Sequence, residues 1–339
     1  MKTTTFGVDL AKRVFQVHWV DMDTGEINRR QLKREQLVTF FAKQAPALIA
    51  MEACGSAHYW ARRFTSFGHA VRLIAPSFVR PFVKRNKTDV ADAQAIWEAA
   101  QRPEMRFVAA KSEAQQGVLT LHRVRAQLLK MRRMQTNQTH GLLHEFGAPV
   151  HAGRKSMGDA TCRLTELADT LPAMVIDTLR EQLQRIEALT RDIRAIERRL
   201  AAWQHQDEAA TRLAAIPGVG LLTATAAIAT IGAASTFRSG REFAAFLGLV
   251  PRQSGTGGRV KLLGISKRGD DVYLRTLLIH GARSVLKRSK HLSASLQRLL
   301  ARRPFNVVVV ALANKMARTI WALLAHARAY QPGYVAHAA

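Results

Sequence analysis

The first third of the chain alternates short apolar runs with longer amphipathic ones. Residues 4–11 and 14–20 are rich in β-branched and aromatic side chains and are separated by Lys12 and Arg13, which predicts a β-hairpin. The pattern then predicts a strand over 26–32, a helix over 34–44, a strand over 47–52, a helix over 56–67 and a strand over 70–74. Three antiparallel strands followed by alternating helices and strands predict an α/β domain over residues 1–110, with helices covering a mixed sheet.

The middle of the chain, residues 111–207, has a helical pattern. Helices are predicted over 112–145 and 173–204, and the second carries apolar residues every three or four positions, typical of a coiled coil. The stripe comprises Leu179, Leu183, Ile186, Leu189, Ile193, Ile196 and Leu200. The alternative is an ordinary long helix packed within one subunit. We favour pairing between subunits, because no third comparable helix follows in the sequence.

The last region, residues 208–339, is predicted to be mainly helical. Residues 213–224 resemble a helix-hairpin-helix element, in which Gly218 and Gly220 let backbone amides at a helix start approach a DNA phosphate. The alternative is a tight turn between packed helices. A polar, flexible segment is expected at 252–259, before helices at 272–287 and 304–328. Asn314, Lys315 and Arg318 interrupt the apolar last helix, which predicts a buried helix and no membrane span.

The net charge of the chain indicates what kind of molecule it binds. The chain has 51 Lys and Arg against 25 Asp and Glu, a net charge of +26, and an isoelectric point near 11.3. Such an excess is tolerated best when a polyanion neutralises it, so nucleic acid is the leading partner. Cys54 and Cys162 are far apart and fit neither a disulfide framework nor a zinc site, and the N-terminus has no signal-peptide core. We therefore expect a reducing, cytoplasmic compartment.

Four carboxylates stand out against this basic background. Asp89 and Asp92 lie three residues apart where a helix should begin, with Thr88 as its N-cap, so both side chains share one helix face. Asp9 and Glu52 each end a predicted strand, so both can project toward that helix. The alternative for Asp89 and Asp92 is that they only complement the helix dipole.

Converging carboxylates raise one another's pKa unless cations lie between them. Mg²⁺ is the natural cation, since it prefers a few carboxylates together with substrate phosphates. Two such ions about 4 Å apart can activate an attacking oxygen and stabilise a leaving one. A basic chain with this acidic set is predicted to carry out metal-dependent chemistry on nucleic-acid phosphodiesters.

Several short motifs carry a resemblance to a known family. They are residues 7–12, 87–93, 216–220, 248–253 and 264–270, which include the aspartates at 9, 89 and 92. In this order the chain resembles the DEDD insertion-sequence transposases of the IS110 family and is similar to the Piv DNA invertases. The resemblance covers nearly the full chain.

The resemblance implies a RuvC-like domain with the RNase H fold, a coiled-coil linker and a C-terminal transposase domain. It implies a bacterial recombinase, acting at the nucleoid, that is guided by a structured bridge RNA pairing with donor and target DNA. Base pairing would then carry the sequence specificity. It also implies tetramers, as dimers joined through the coiled coil, with active sites combining carboxylates of one subunit and a serine of another.

The resemblance further implies that this serine attacks DNA and holds the cut strand as a phosphoserine. Its loop offers Ser254 and Thr256, and we favour Ser254 because a serine hydroxyl is less hindered and Gly255 admits a phosphate. Arginines and lysines around it are candidate phosphate contacts. The full set expected to bind nucleic acid is Gly218, Gly220, Arg252, Thr256, Gly257, Gly258, Arg259, Lys267 and Arg268.

Three other functions fit parts of the pattern. A Holliday-junction type nuclease would use the same carboxylates with water as the nucleophile. A nucleic-acid-binding protein would keep the acidic set as structure only, and would bind in a salt-sensitive, Mg²⁺-independent way. A sugar-kinase or actin-like ATPase can also begin with a Gly-x-Asp strand, but no later glycine-rich phosphate loop supports it.

Overall fold

A computed structural model describes residues 3–83, 88–150, 156–265, 269–289 and 291–332. Contacts divide the chain into two units. The sheet unit comprises Met1–Gln116 with Ile231–Glu242, and the helical unit comprises Gly117–Thr230 with Phe243–Ala339. The chain therefore leaves the sheet unit after Gln116 and returns to it once, and the boundary expected between residues 207 and 208 stays a prediction.

The sheet unit is built on a mixed β-sheet. Its strands in the described residues are β1 Thr5–Asp9, β2 Val14–Val20, β3 Ile27–Lys33, β4 Leu48–Glu52, β5 Ala70–Ile74 and β6 Phe107–Val108. They lie in the order β3-β2-β1-β4-β5-β6, and β1 runs antiparallel to β2 but parallel to β4. The predicted mixed sheet is confirmed and is consistent with a RuvC-like fold. The two-residue β6, antiparallel to β5, is too short for its sequence to have indicated it.

Helices cover both faces of this sheet. They are α1 Arg34–Ala42, α2 Ala57–Thr65, the short α3 Pro76–Val79 and α4 Asp89–Ala100. The sheet unit also has 3-10 turns at Arg80–Phe82, between α3 and α4, and at Ala234–Thr236. Phe6 and Val8 of β1 pack on one face in a core with residues of α1 and α2, such as Phe41 and Trp60. Ala50 of β4 packs on the other face against α4, where Ile96 is buried. Alternate residues of each strand therefore serve opposite cores.

The helical unit contains most of the remaining elements. Its helices, of which α5, α9 and α10 extend across the unit boundary, are α5 Glu113–Glu145, α6 Ser156–Glu166, α7 Ala173–Gln206, α8 Glu208–Ala214, α9 Leu221–Ile231, α10 Gly240–Phe246, α11 Val272–Arg288, α12 Ala294–Arg302 and α13 Phe305–Ala325. Two strands, β7 Pro251–Thr256 and β8 Arg259–Ile265, form a separate hairpin. The long helices α5 and α7 were predicted, whereas α6 and α12 were not. Gly158 lies within α6, although glycine disfavours helix interiors, which is one reason that the pattern does not indicate this helix.

The apolar stripe of α7 is buried within the chain. Leu179 and Leu183 pack with Leu143 of α5 and Leu164 of α6. Further along the helix, Leu200 packs in a cluster with α5 and α9. The inference that this stripe pairs two subunits therefore loses its basis, and the intrachain alternative describes it. The partners that cover the stripe precede it and follow it in sequence, so its periodicity alone could not identify them.

The helix α13 is the one described helix that is long and apolar enough to cross a membrane. One face of it is buried in the helical unit, including Val308, Met316 and Ile320. Arg318 interrupts its sequence, and the carboxamide of Asn314 donates a hydrogen bond of 3.1 Å to the carbonyl oxygen of Leu249. The expectation of a buried helix is confirmed for this face.

Candidate active site

The register of the central strands brings Asp9 and Glu52 to one edge of the sheet. Val8 of β1 is paired with Met51 of the parallel β4, so Asp9 and Glu52 are the next residues along each strand. Both lie on the face that packs against α4, because Gly7 and Ala50, two residues earlier, face that helix. The sheet therefore aims two carboxylates toward α4 at the carboxyl ends of adjacent strands.

Gly7 sets how closely α4 approaches the sheet. A Cβ atom on Gly7 would meet the carbonyl oxygen of Ala93 and would lie 2.7 Å from the Cβ atom of Trp97. The Trp97 indole also donates a hydrogen bond of 3.0 Å to the carbonyl oxygen of Thr5. Only glycine permits this contact between β1 and α4, and the contact fixes where α4 begins relative to Asp9.

The first turn of α4 supplies the other two carboxylates. Thr88 caps the helix by accepting a hydrogen bond of 3.2 Å from the Ala91 amide, as predicted. Carboxylate oxygens of Asp9, Asp89 and Asp92 all lie within 4.8 Å of one another. Asp89 is exposed, whereas Asp9 and Asp92 are half-buried. Three of the four predicted carboxylates therefore converge.

Electrostatics in this cluster are unfavourable for three bare carboxylates. Burial, followed by the charges of Asp92, Asp89 and Glu52, raises the pKa of Asp9 to about 6. Glu52 is thus near enough to act on Asp9, although its oxygens are outside the 4.8 Å group. No ion pair to the three aspartates is present among the described residues. These carboxylate oxygens are the ligands that a hard divalent cation prefers, and the charge of such a cation would offset the repulsion between the carboxylates.

The predicted nucleophile segment forms part of an exposed β-hairpin, which its polar, glycine-rich sequence did not predict. Gly257 and Gly258 have φ values of 55° and 77° between the paired residues Thr256 and Arg259. Two residues with positive φ make the tight turn that suits the twist of a hairpin. The glycines that suggested flexibility therefore form a defined turn.

The hairpin has one polar and one apolar face. Ser254 is directly opposite Lys261, and Thr256 is opposite Arg259, so these four side chains share a face. Val260 and Leu262 point to the other face and are 67% and 65% exposed. The cross-strand position of Lys261 adds a cation beside Ser254 that the sequence pattern alone did not single out.

The base of the hairpin is anchored in the helical unit. The Arg275 guanidinium donates a hydrogen bond of 2.5 Å to the carbonyl oxygen of Gly248, and the Asn314 carboxamide donates one to the carbonyl oxygen of Leu249. A Cβ atom on Gly269 would meet the carbonyl oxygen of Leu247 and would lie 2.9 Å from the Gly248 amide nitrogen. Arg275, one of several basic residues in this region, therefore positions the hairpin through its backbone.

The helix-hairpin-helix prediction falls on the turn between α8 and α9. Gly218 has a φ of 85°, and a Cβ atom there would lie 2.8 Å from Val285 Cγ2 and 2.9 Å from the Gly281 carbonyl oxygen. Gly218 is thus required for the packing of this turn on α11. That requirement is consistent with the alternative interpretation of residues 213–224, a tight turn between packed helices. Gly220 has open space around its Cα, and its phosphate contact stays a prediction.

Of the other basic residues predicted to bind phosphate, two lie within the described residues and two lie outside them. Arg252 and Arg259 are exposed on the hairpin. Lys267 and Arg268 lie outside the described residues. Ser254 belongs to the helical unit and the four carboxylates belong to the sheet unit, so each group is described within its own unit.

Comparison with known proteins matches both parts of the chain to transposase families. Residues 6–147 match a family described as the DEDD transposase of IS110, and residues 210–297 match the "Transposase IS116/IS110/IS902 family". A "Probable family 20 transposase" of Pseudomonas aeruginosa is 50% identical, covering 98% of this chain and 100% of that protein.

Two further relatives are named for insertion sequences. The transposase of element IS1328 from Yersinia enterocolitica is 42% identical, covering 94% of this chain and 96% of its own length. The transposase of element IS1111A from Coxiella burnetii is 43% identical, covering 96% of this chain and 91% of its own length. These matches extend over nearly the full chain in every case.

Proposed function

Because the chain belongs to the IS110 family of insertion-sequence transposases, we propose that it cuts and rejoins DNA strands at the carboxylate cluster of Asp9, Asp89 and Asp92. The convergence of three carboxylate oxygens within 4.8 Å, in a chain of net charge +26, carries this proposal. Carboxylates alone would repel DNA phosphates, so a cation must lie between them. Glu52 completes the set from the adjacent strand end.

The four carboxylates would hold Mg²⁺, and two ions fit the number of ligands. When bound, Mg²⁺ supplies charge stabilisation to the attacking and leaving oxygens of a phosphodiester. The chain's own contribution is orientation. The close β1–α4 contact at Gly7 and the Thr88 cap hold the aspartates at one point before any ligand arrives.

Ser254 is the proposed nucleophile, with Thr256 as the alternative. Its Oγ would form a bond to phosphorus as the bond from phosphorus to one deoxyribose oxygen breaks. The serine proton passes to the leaving oxygen, so one phosphodiester is exchanged for another and rejoining needs no added energy source. Lys261 directly opposite Ser254 supports this assignment, because a cation there would bind a phosphate oxygen and favour the ionised hydroxyl.

The partners of the reaction are proposed as donor DNA, target DNA and a structured guide RNA, acting together in the cytoplasm. Base pairing to the RNA would carry the sequence choice, while the basic chain holds phosphate backbones. We propose a dimer or tetramer in which the hairpin of one copy joins the carboxylates of another. The outer side of α5 offers a surface for assembly, because Val124, Met131 and Met134 are exposed there.

The metal-dependent step is tested with Asp92→Asn, and Asp23→Asn serves as a control because Asp23 lies in an exposed turn at the opposite end of β2 from Asp9. We expect Asp92→Asn to lower DNA cleavage in Mg²⁺ at least 100-fold while DNA and RNA binding in EDTA change less than threefold. Equal cleavage by both variants would overturn the proposed site. Lost cleavage together with lost RNA binding would instead indicate that the acidic set supports nucleic-acid binding.

A further inference from the structure

A concave groove runs between three helices of the helical unit, and none of its lining residues belongs to the carboxylate cluster or to the hairpin. It encloses about 1010 Å³ and is lined by residues spaced three or four apart on α5, α6 and α7, so each helix contributes one continuous face. The lining residues that matter for its chemistry are Arg132, Arg133, Asn137, Arg180, Thr190 and Arg194. Its floor is apolar and includes the buried Leu183 and Ile186.

The charge of the groove is strongly positive. Between Glu113 and Glu145 the helix α5 has no acidic residue, whereas α7 mixes acidic and basic side chains. Arg180 is paired with Asp177 at 2.6 Å. Among the described residues no acidic side chain pairs with the other three lining arginines. Glu187 is the single acidic residue in the lining, so at least two positive charges are uncompensated.

The arginines of the groove have polar neighbours that an ordinary solvated surface would not require. The Arg132 guanidinium reaches from α5 to the Thr190 hydroxyl on α7, at 3.4 Å, and is only half-exposed. Threonine hydroxyls and the Asn137 carboxamide stand beside the arginines in the same lining. Guanidinium groups bind phosphate oxygens in pairs of hydrogen bonds, and hydroxyl and amide groups add contacts to phosphate and sugar. A concave wall with charge of one sign also concentrates a polyanion within it.

We propose that this groove binds the phosphate backbone of a nucleic acid, with Arg132, Arg133 and Arg194 contacting phosphates. The site lies outside the strand-cleaving machinery, and its binding does not depend on metal or on Ser254. RNA and DNA share the phosphate chemistry, and the two are distinguished by experiment. An acidic protein segment is the competing occupant.

The test compares two triple variants of the full-length protein. The groove variant is Arg132→Gln, Arg133→Gln and Arg194→Gln. The control variant is Arg191→Gln, Arg198→Gln and Arg199→Gln, which removes the same charge from exposed positions on α7 outside the groove. Circular dichroism melting establishes that both variants fold. Binding is measured in EDTA by fluorescence anisotropy, with a hairpin RNA and a DNA duplex of matched sequence as probes.

We expect the groove variant to lose at least tenfold affinity for one or both probes, and the control variant less than threefold. Each phosphate contact contributes about 0.9 to the salt dependence of duplex binding, so the slope should fall by about 2 to 3 in the groove variant only. A larger loss for RNA would assign the groove to RNA, and a larger loss for the duplex would assign it to DNA. Equal losses in both variants, or none in the groove variant, would overturn the proposal, and the latter result would favour a protein segment.

Discussion

At the scale of single residues, Asp9 has the clearest electrostatic cost. Its pKa is raised to about 6 by burial and by neighbouring carboxylates, so the folded state holds a proton that the unfolded state releases above the ordinary value of 3.8. The folded protein therefore loses stability as pH rises through about 6, and at pH 7 the charge on Asp9 opposes folding. Divalent cations should reverse this cost.

Replacing that charge should stabilise the metal-free protein. We expect Asp9→Asn to raise the free energy of unfolding at pH 7 in EDTA by about 1 kcal/mol, because Asp9 is only half-buried and solvent screens part of the repulsion. Mg²⁺ should then stabilise the variant less than it stabilises the wild type. Thermal melts with and without Mg²⁺ measure both effects, and a variant less stable than wild type in EDTA would contradict the repulsion.

A second residue, His122, makes the helical unit sensitive to acid. Burial, followed by the charge of Arg125, lowers its pKa to about 4, although Asp271 opposes the shift. Thr225 donates its hydroxyl proton to the Leu221 carbonyl at 2.7 Å, so it must accept a hydrogen bond from His122 Nε2 at 3.0 Å. The other ring nitrogen then accepts from the Tyr273 hydroxyl at 2.9 Å. Every position around the neutral ring is filled.

Acid should therefore destabilise the folded protein through His122. Between pH 6.5 and about 4 the unfolded chain binds a proton that the folded chain does not, so stability falls by up to about 1.4 kcal/mol per pH unit. The variant His122→Gln should have a shallower pH dependence in denaturant titrations across this range, with His205→Gln, at an exposed position, as the control. An unchanged slope would mean that His122 does not titrate as described.

Lys261 is the residue whose proposed role rests on the hairpin register, which places it opposite Ser254. We expect Lys261→Gln to reduce DNA cleavage at least tenfold, because the cation opposite Ser254 would no longer hold a phosphate oxygen. Lys261→Arg should recover much of the activity, since the charge is kept. Val260→Thr, on the apolar face of the same strand, is the matched control for hairpin folding. Equal cleavage by Lys261→Gln and wild type would remove Lys261 from the site.

At the scale of elements, the sequence predicts regular structure well and long-range partners poorly. The strands β1, β4 and β5 and the N-terminus of α4 follow from alternation and from the Thr88 cap, so the carboxylate cluster was predictable. The partner of the α7 stripe was not, because Leu143 and Leu164 that cover it carry no local mark of that role. The hairpin of Ser254 was missed because its glycines indicate a loop, whereas their positive φ angles make a turn.

The contact between β1 and α4 is the element-scale feature on which the cluster depends. We expect Gly7→Ala to lower the free energy of unfolding by about 2–3 kcal/mol, because a Cβ would overlap the Ala93 carbonyl and the Trp97 side chain. Gly55→Ala is the control, since no atom lies within 4 Å of a Cβ at that position. Urea titrations of both variants measure the difference, and similar stabilities would show that α4 can shift without cost.

At the scale of the whole molecule, the main features are the net positive charge and the placement of the basic surfaces and the acidic cluster in different units. The net charge of +26 suits a protein that holds several nucleic-acid backbones at once, and two cationic surfaces, the hairpin and the groove, lie in the helical unit. The acidic cluster is confined to the sheet unit. The proposed strand chemistry requires the carboxylates and Ser254 to meet, and composition alone could not show which elements provide each part.

The central claim is tested most directly by looking for a covalent link between protein and DNA. End-labelled donor DNA is incubated with protein, Mg²⁺ and RNA transcribed from the DNA flanking the gene, and is run on a denaturing gel before and after protease digestion. We predict a protease-sensitive, protein-linked DNA band that is lost in Ser254→Ala and kept in Thr256→Ala. Loss only in Thr256→Ala would move the nucleophile two residues along β7, and cleaved but unlinked DNA in all three proteins would contradict serine catalysis and indicate a water-using nuclease.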